Sequence, residues 1–286
     1  MSSLDKEESK KQKGSLLLAW QVRDKHCLVI GAGDVALSRV HHMIKAQANI
    51  TVVTGDSRIH PEILELYDSG KIFRLEKRPY QSSDLTMYRQ GASISFDVES
   101  LSEDQYAQII EYNHKHQFEV VCCCIDDHEL STKIYYQCKV LGLNANIADK
   151  PELCDFYFGS MINKDSLQIM ISTNGKSPRL SKMIKDTIVK HIDCDANKAI
   201  DNLNLVRFTL RSRKLSQNDT STIELRMAWI KNLTDFFTIS QWSEVDINDH
   251  NVNMIVDYYP EYPPREFEAF QHLLQGSGPE GAETST

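Results

Sequence analysis

The stretch that most constrains this chain runs from His26 to Asp56. An apolar run, His26 to Ile30, meets the turn Gly31-Ala32-Gly33-Asp34-Val35-Ala36. Leu37 to Ala46 then has helical spacing, and Asn49 to Thr54 forms a second apolar strand. In a β-turn-α-β unit of this kind, helix-start N–H groups and the helix dipole meet a backbone that a pyrophosphate can approach. Gly31 permits the tight turn and Gly33 leaves room for phosphates. Ala36, in the third fingerprint position, still allows close helix–strand packing. A GxGxxA string alone is equally an ordinary turn packing a helix on a sheet. Its context, with an acid beyond the second strand, points to dinucleotide binding. Asp56 can accept hydrogen bonds from a ribose diol and repels a 2′-phosphate, which favours NAD over NADP, while Arg58 pulls the other way.

The pattern repeats downstream. His60 to Tyr67 reads as a helix after Pro61, Lys71 to Leu75 as a third strand, and Gln105 to His114 as a helix. Phe118 to Ile125 is a buried strand, Leu130 to Leu141 a helix stopped by Gly142, and Asn144 to Ala148 a further strand. Residues 79–103 carry no clear periodicity. Leu16 to Val22 reads as a short strand before the unit. The alternation implies an α/β fold, a Rossmann-type doubly wound parallel sheet over residues 15–150. In such sheets ligands gather at the carboxyl ends of strands. Cys124 and Ile125 are therefore expected to face the cofactor, with Gly31, Gly33 and Asp56.

Composition removes several function classes. With 32 Lys plus Arg against 40 Asp plus Glu, the net charge of −8 offers no basic field for nucleic acid. No apolar run approaches a membrane span, and residues 1–14 are polar and charged, as expected of a disordered arm without a signal peptide. Seven cysteines without framework spacing fit reduced thiols, so the chain is expected to be cytoplasmic. Cys122, Cys123 and Cys124 invite a metal reading, but neighbouring strand side chains point to opposite faces. Small buried hydrophobes account for them better. There is no CxxC pair or HExxH helix, and no metal site is expected.

The next segment is dense in unusual features: Asn146-Ile-Ala-Asp149-Lys-Pro151, Cys154-Asp-Phe-Tyr-Phe158, and Leu167 to Arg179. Asp149 follows a strand that should end at the same edge as the glycine turn, so it can overlook a nicotinamide. On spacing alone, a turn carboxylate before Lys150-Pro151 is the simpler account. Asp126 and Asp127 compete for the same edge, with the end of a strand and the start of a helix as their ordinary role. Ser177 and Pro178 mark a helix start, as cap and first helical residue, and Arg179, Lys182, Lys185 and Lys190 make that helix basic. Such a face is either simply solvated or a landing site for a multi-carboxylate ligand. Phe156 to Phe158 and Leu167 to Ile171 are strand-like runs that need burial beyond the first domain.

Gly-Ala-Gly-Asp-Val-Ala at 31–36, Asn-Ile-Ala-Asp-Lys-Pro-Glu-Leu-Cys-Asp-Phe-Tyr-Phe-Gly at 146–159 and Ile-Ser-Thr-Asn-Gly-Lys-Ser-Pro-Arg at 171–179 resemble one family in order and wording. It is the fungal bifunctional siroheme-synthesis family, precorrin-2 dehydrogenase and sirohydrochlorin ferrochelatase. The similarity spans about residues 14–240 and returns at Tyr262-Pro-Pro-Arg265. It implies an NAD-binding domain, a central dimerisation segment (151–193) that interlocks two subunits as a homodimer, a C-terminal helical domain (194–270) and a flexible tail (271–286). It also implies cofactor contacts at Gly33, Asp34 and Val35 and at Thr54, Gly55 and Asp56 after the second strand, and that Asp149 serves both oxidation and metallation with Fe2+ as substrate. A carboxylate-fringed tetrapyrrole would draw on the Thr173, Asn174, Ser177 and Arg179 helix start. Residues 79–105 and 193–220 match poorly, and Phe236 to Glu244 holds no histidine to carry a metal. No methyltransferase domain is expected after Arg265, so precorrin-2 would come from another enzyme. The competing readings are a dehydrogenase without useful chelatase activity and a dinucleotide-sensing protein without turnover.

Overall fold

Strand side chains alternate between two faces, and here both faces are covered. The computed structural model describes residues 14–55, 58–89, 99–192, 194–213 and 220–276. Five strands, β1 (His26–Ile30), β2 (Asn49–Thr54), β3 (Arg74–Lys77), β4 (Phe118–Cys123) and β5 (Asn144–Ile147), form one parallel sheet in the order β3-β2-β1-β4-β5. Helices α1 (Asp34–Lys45), α2 (Pro61–Asp68), α3 (Glu103–His116) and α4 (His128–Val140) lie in the crossovers. The strand order reverses between β1 and β4, which is where such sheets open a ligand crevice.

On one face Cys27, Val29, Val52, Val120 and Cys122 pack with Ala36, Val40 and Met43 of α1 and Ile63 of α2. On the other, Leu28, Ile30, Val53, Val121, Cys123 and Ile147 pack with Ile134 and Cys138 of α4. Each fully buried aliphatic side chain contributes roughly 1.5–3 kcal/mol. The three cysteines obey the alternation: Cys122 and Cys124 belong to the first core, Cys123 to the second. All seven thiols are unpaired. Burial pushes Cys123 and Cys124 up to about 12, so both remain protonated apolar fillers at neutral pH.

Three expected strand-like runs change. The run at Leu16 to Val22 forms none, and Leu16, Leu17 and Leu18 are exposed, because no neighbouring strand takes up its hydrogen bonds. The third strand starts at Arg74 rather than Lys71, since the amides of Lys71 and Ile72 are used on the Leu66 carbonyl to close α2. The Leu18–Phe158 unit also runs beyond residue 150. Phe156-Tyr157-Phe158 is not a strand; Phe156 and Phe158 pack on the core beneath α1, so their apolar surface is satisfied at home.

Among the described residues, a second unit comprises Gly159 onward with residues 14–17. It opens with an antiparallel hairpin, β6 (Ser160–Lys164) and β7 (Leu167–Ile171), followed by α5 (Pro178–His191). Then come α6 (Ala196–Arg213), α7 (Thr220–Thr234), α8 (Ile239–Glu244), α9 (Val252–Val256) and α10 (Phe267–Leu274). Val206, Leu210, Trp229, Leu233, Trp242 and Phe270 form their core. Buried Asn202 ties it together, donating to the carbonyls of Trp242 and Val245 at 2.9 Å each and accepting from Ile247 N at 3.3 Å. Residues 271–274, expected in a flexible tail, belong to α10, whose Phe270 and Leu274 are buried through its last turn. The expected N-terminal arm up to residue 13 and the tail from 277 lie outside the described residues. Among the described residues no helix is long and apolar enough to cross a membrane.

Candidate functional site

Three backbone hydrogen bonds align the carboxyl ends of four strands. Gly31 N donates to Val53 O (2.9 Å), Cys124 N to Ile30 O (2.7 Å) and Ala148 N to Cys123 O (2.8 Å). The two glycines at this edge do different work. Gly31 has φ +107°, and a Cβ there would meet the Cys124 carbonyl oxygen at 2.3 Å, so only glycine fits. At Gly33 a Cβ would meet nothing within 4 Å. The space is open, and α1 begins there without a side-chain cap, with Gly33, Asp34 and Val35 all exposed. Uncapped N–H groups beside an open glycine suit a pyrophosphate. Thr54 is buried at the end of β2, and Gly55 packs so closely on Pro79 that a Cβ would stand 2.9 Å from its Cα. The Cys124 carbonyl and the Ile125 side chain lie against Gly31. Asp56 lies outside the described residues.

Asp149 follows β5 at this same edge. It is exposed, and among the described residues its carboxylate has no hydrogen-bond or ion-pair partner. Its negative charge acts on the Cys124 thiol, together with the positive charge of Arg39 on α1, although burial is the larger cause of that thiol's shift. The backbone of Asp149 is left-handed, φ 60°, a conformation costing an L-residue about 1–2 kcal/mol. The surroundings enforce it. Pro151 keeps Lys150 out of the helical region, at φ −126° and ψ 81°. The Lys150 ammonium donates to His128 O (2.5 Å) and Thr132 Oγ1 (2.7 Å) at the start of α4. Cys154 Sγ lies 3.2 Å from each of the Ile147 and Lys150 carbonyls, and burial raises its pKa so that it keeps its S–H donor. Asp155 accepts from Ala145 N at 2.7 Å and pairs with Lys139. The competing Asp127 is occupied as a helix cap, accepting from Glu129 N (3.0 Å) and Leu130 N (2.9 Å). Lys150, Cys154 and Asp155 escape sequence reading, since their partners lie on other elements; only the compact Asp-Lys-Pro wording hints at a fixed turn.

The remaining expected residues gather separately, in the turn between β7 and α5 of the second unit. Asn174 (φ 49°) and Gly175 (φ 74°) are both left-handed. Asn174 Oδ1 accepts from Ser15 Oγ at 2.8 Å, and Thr173 Oγ1 accepts from Ser177 N at 3.2 Å. Ser177 holds the cap position with Pro178 first in the helix, but its side chain makes no capping bond. Its own backbone amide is bonded to Thr173 instead. Arg179 is exposed. At the amino end of the sheet, away from Asp149, a cavity of about 600 Å³ is lined by Asp24, His26, Asn49 and Ile110 among others. No cluster of three His, Cys, Asp or Glu able to hold a metal occurs among the described residues.

Comparison with known proteins bears on this geometry. A siroheme biosynthesis protein of Saccharomyces cerevisiae is 32% identical over 276 residues, covering 88% of this chain and 96% of its own length. The chain belongs to the yeast-type siroheme biosynthesis protein family. The siroheme biosynthesis protein of Schizosaccharomyces pombe is 30% identical, covering 88% of this chain and 82% of its own. A siroheme synthase of Thioalkalivibrio sulfidiphilus is 28% identical over 60% of this chain, which spans 28% of that longer protein. Residues 18–160 match an NAD(P)-binding family, 164–191 the central and 194–263 the C-terminal family of sirohaem biosynthesis proteins. Among solved structures, the precorrin-2 dehydrogenase SirC aligns with a TM-score of 0.51 at 16% identity, over 86% of this chain and 100% of its own. That likeness supports the fold: a parallel five-stranded sheet followed by a helical region.

Proposed function

We propose that this chain performs two consecutive steps of siroheme synthesis, with Asp149 as the catalytic residue of both. The first is NAD+-dependent oxidation of precorrin-2 to sirohydrochlorin, and the second is insertion of Fe2+ to give siroheme. The observation that carries this reading is an exposed carboxylate, without a hydrogen-bond or ion-pair partner among the described residues, at the same sheet edge as the open glycine and the uncapped start of α1. NAD+ supplies the hydride acceptor when bound. Gly31, Gly33, Asp34 and Val35 would hold its pyrophosphate, Thr54, Gly55 and Asp56 its ribose, and Cys124 and Ile125 would floor the cleft. As a hydride leaves the macrocycle, Asp149 takes the accompanying proton. Metallation releases two pyrrole N–H protons, and the same carboxylate accepts them one after the other, passing each to solvent, or briefly holds the Fe2+ ion.

The turn at Thr173, Asn174, Ser177 and Arg179 would supply N–H and guanidinium donors to the carboxylate fringe of the tetrapyrrole. A homodimer fits this chain: Leu180, Met183 and Ile184 of α5, spaced to share one face, are 48, 52 and 39% exposed, an apolar helix face that a second copy would cover. Seven unpaired thiols suit a reducing compartment, and we place the enzyme in the cytoplasm. Incubating pure protein with precorrin-2, then NAD+, then Fe2+, while following the chromophore, tests the reading. Both spectral changes are expected. Oxidation alone would leave a dehydrogenase without chelation, and neither change would leave a dinucleotide-binding protein without turnover.

A further inference from the structure

Lys150 follows Asp149 directly, yet its ammonium points back across the sheet edge. It donates to the carbonyl of His128 at 2.5 Å and to Thr132 Oγ1 at 2.7 Å, so the turn after β5 is fastened to the first turn of α4. That turn of α4 is itself fixed by Asp127, whose carboxylate accepts from Glu129 N and Leu130 N. The chain entering it from β4 passes through Cys124 and Ile125, which lie against Gly31. A continuous set of contacts therefore runs from the glycine turn through Cys124–Asp127 and Lys150 to Asp149. We infer that Lys150 is the positioning residue for Asp149: its clamp on His128 and Thr132 sets the carboxylate at a fixed place relative to the cofactor floor. The inference rests on the catalytic reading of Asp149.

The geometry favours this role over two simpler ones. A lysine serving as a ligand-binding cation would keep its ammonium free, whereas this one is used on two protein oxygens. A lysine serving only solubility would be extended into solvent, whereas Lys150 is partly buried. Asp149 has no side-chain partner of its own among the described residues, so its direction depends on its backbone. That backbone is held at φ 60° by its neighbours, and Lys150 is the nearest of them in sequence.

The test uses the full chain and measures steady-state oxidation of precorrin-2. Lys150→Met is expected to lower kcat about 100-fold, the scale of a displacement of about 1 Å at a reacting group. KM for NAD+ should stay at the parental value. Lys150→Arg, which keeps a cationic donor, should recover part of the loss. Thr132→Val removes one acceptor and should lower kcat about fivefold, the scale of one hydrogen bond; it decides the matter if Lys150→Met does not fold. Adding Lys150→Met to Asp149→Asn should cost nothing further, because a positioning residue acts only through the group it positions. Parental kcat in both Lys150→Met and Thr132→Val, or an equal additional loss in the Asp149→Asn background, would overturn the inference. Parental activity in Asp149→Asn itself would instead overturn the reading on which it rests.

Discussion

The turns at Asp149 and at Asn174 adopt the same left-handed backbone, φ 60° and 49°, but are held in different ways. Around Asp149, Lys150 reaches α4, Cys154 spans two carbonyls, and Asp155 returns to β5. The turn at Asn174 relies on short-range bonds among Ser172, Thr173, Asn174 and Ser177, with Ser15 adding one from the chain's start. The helix that follows it, α5, buries only Ser181. The first turn is tied to distant elements of its unit, whereas the second leads into a helix whose Leu180, Met183 and Ile184 are exposed. A group that moves protons gains from rigid placement, and a surface that receives a large ligand or a second copy gains from being open.

The largest effect that separates the two regions comes from Gly33→Asp. A carboxylate in the open space beside the start of α1 would occupy and repel the pyrophosphate position, so oxidation should be abolished. Iron insertion, which needs no NAD+, should persist. Equal NAD+ affinity in variant and parent would break the placement of the cofactor at this edge.

Met183→Glu puts a charge on the apolar face of α5 and should convert a dimer to monomers in sedimentation at micromolar concentration. Its NAD+ affinity should match the parent's, because the cofactor edge belongs to the other unit. A monomeric parent would contradict the homodimer.

Much of the sheet can be read from the sequence, because it is written in local patterns. β2 lies where its apolar run predicts, and the alternation of Cys122 to Cys124 is the one a buried strand requires. Apolar runs whose fate depends on distant partners are harder. Leu16 to Leu18 finds no strand to join, and Phe156 and Phe158 turn inward beneath α1, where Arg39 stacks 4.4 Å above the Phe158 ring. At the candidate site, the glycine turn and the position of Asp149 after a strand are legible. The left-handed backbone of Asp149 and the clamp of Lys150 are not, since no spacing rule links Lys150 to His128 and Thr132.

The smallest effect compares the turns through their backbone. Asn174→Ala forces a Cβ-bearing side chain without local hydrogen bonds into φ 49°, whereas Asn174→Gly relieves it. The glycine variant should be more stable than the alanine variant by about 1 kcal/mol in denaturant unfolding. Equal stability would show that the turn relaxes freely, and the likeness between the two turns would then be one of appearance only.

The central claim is that one carboxylate serves both reactions. Asp149→Asn keeps the shape of the side chain but cannot accept a proton at neutral pH, and loss of a general base costs on the order of 10²- to 10⁴-fold. The decisive measurement is the rate of precorrin-2 oxidation and the rate of Fe2+ insertion in Asp149→Asn, each against the parent. The variant should fold, dimerise and bind NAD+ while both rates fall by factors of that size. Oxidation lost with iron insertion at the parental rate would contradict it.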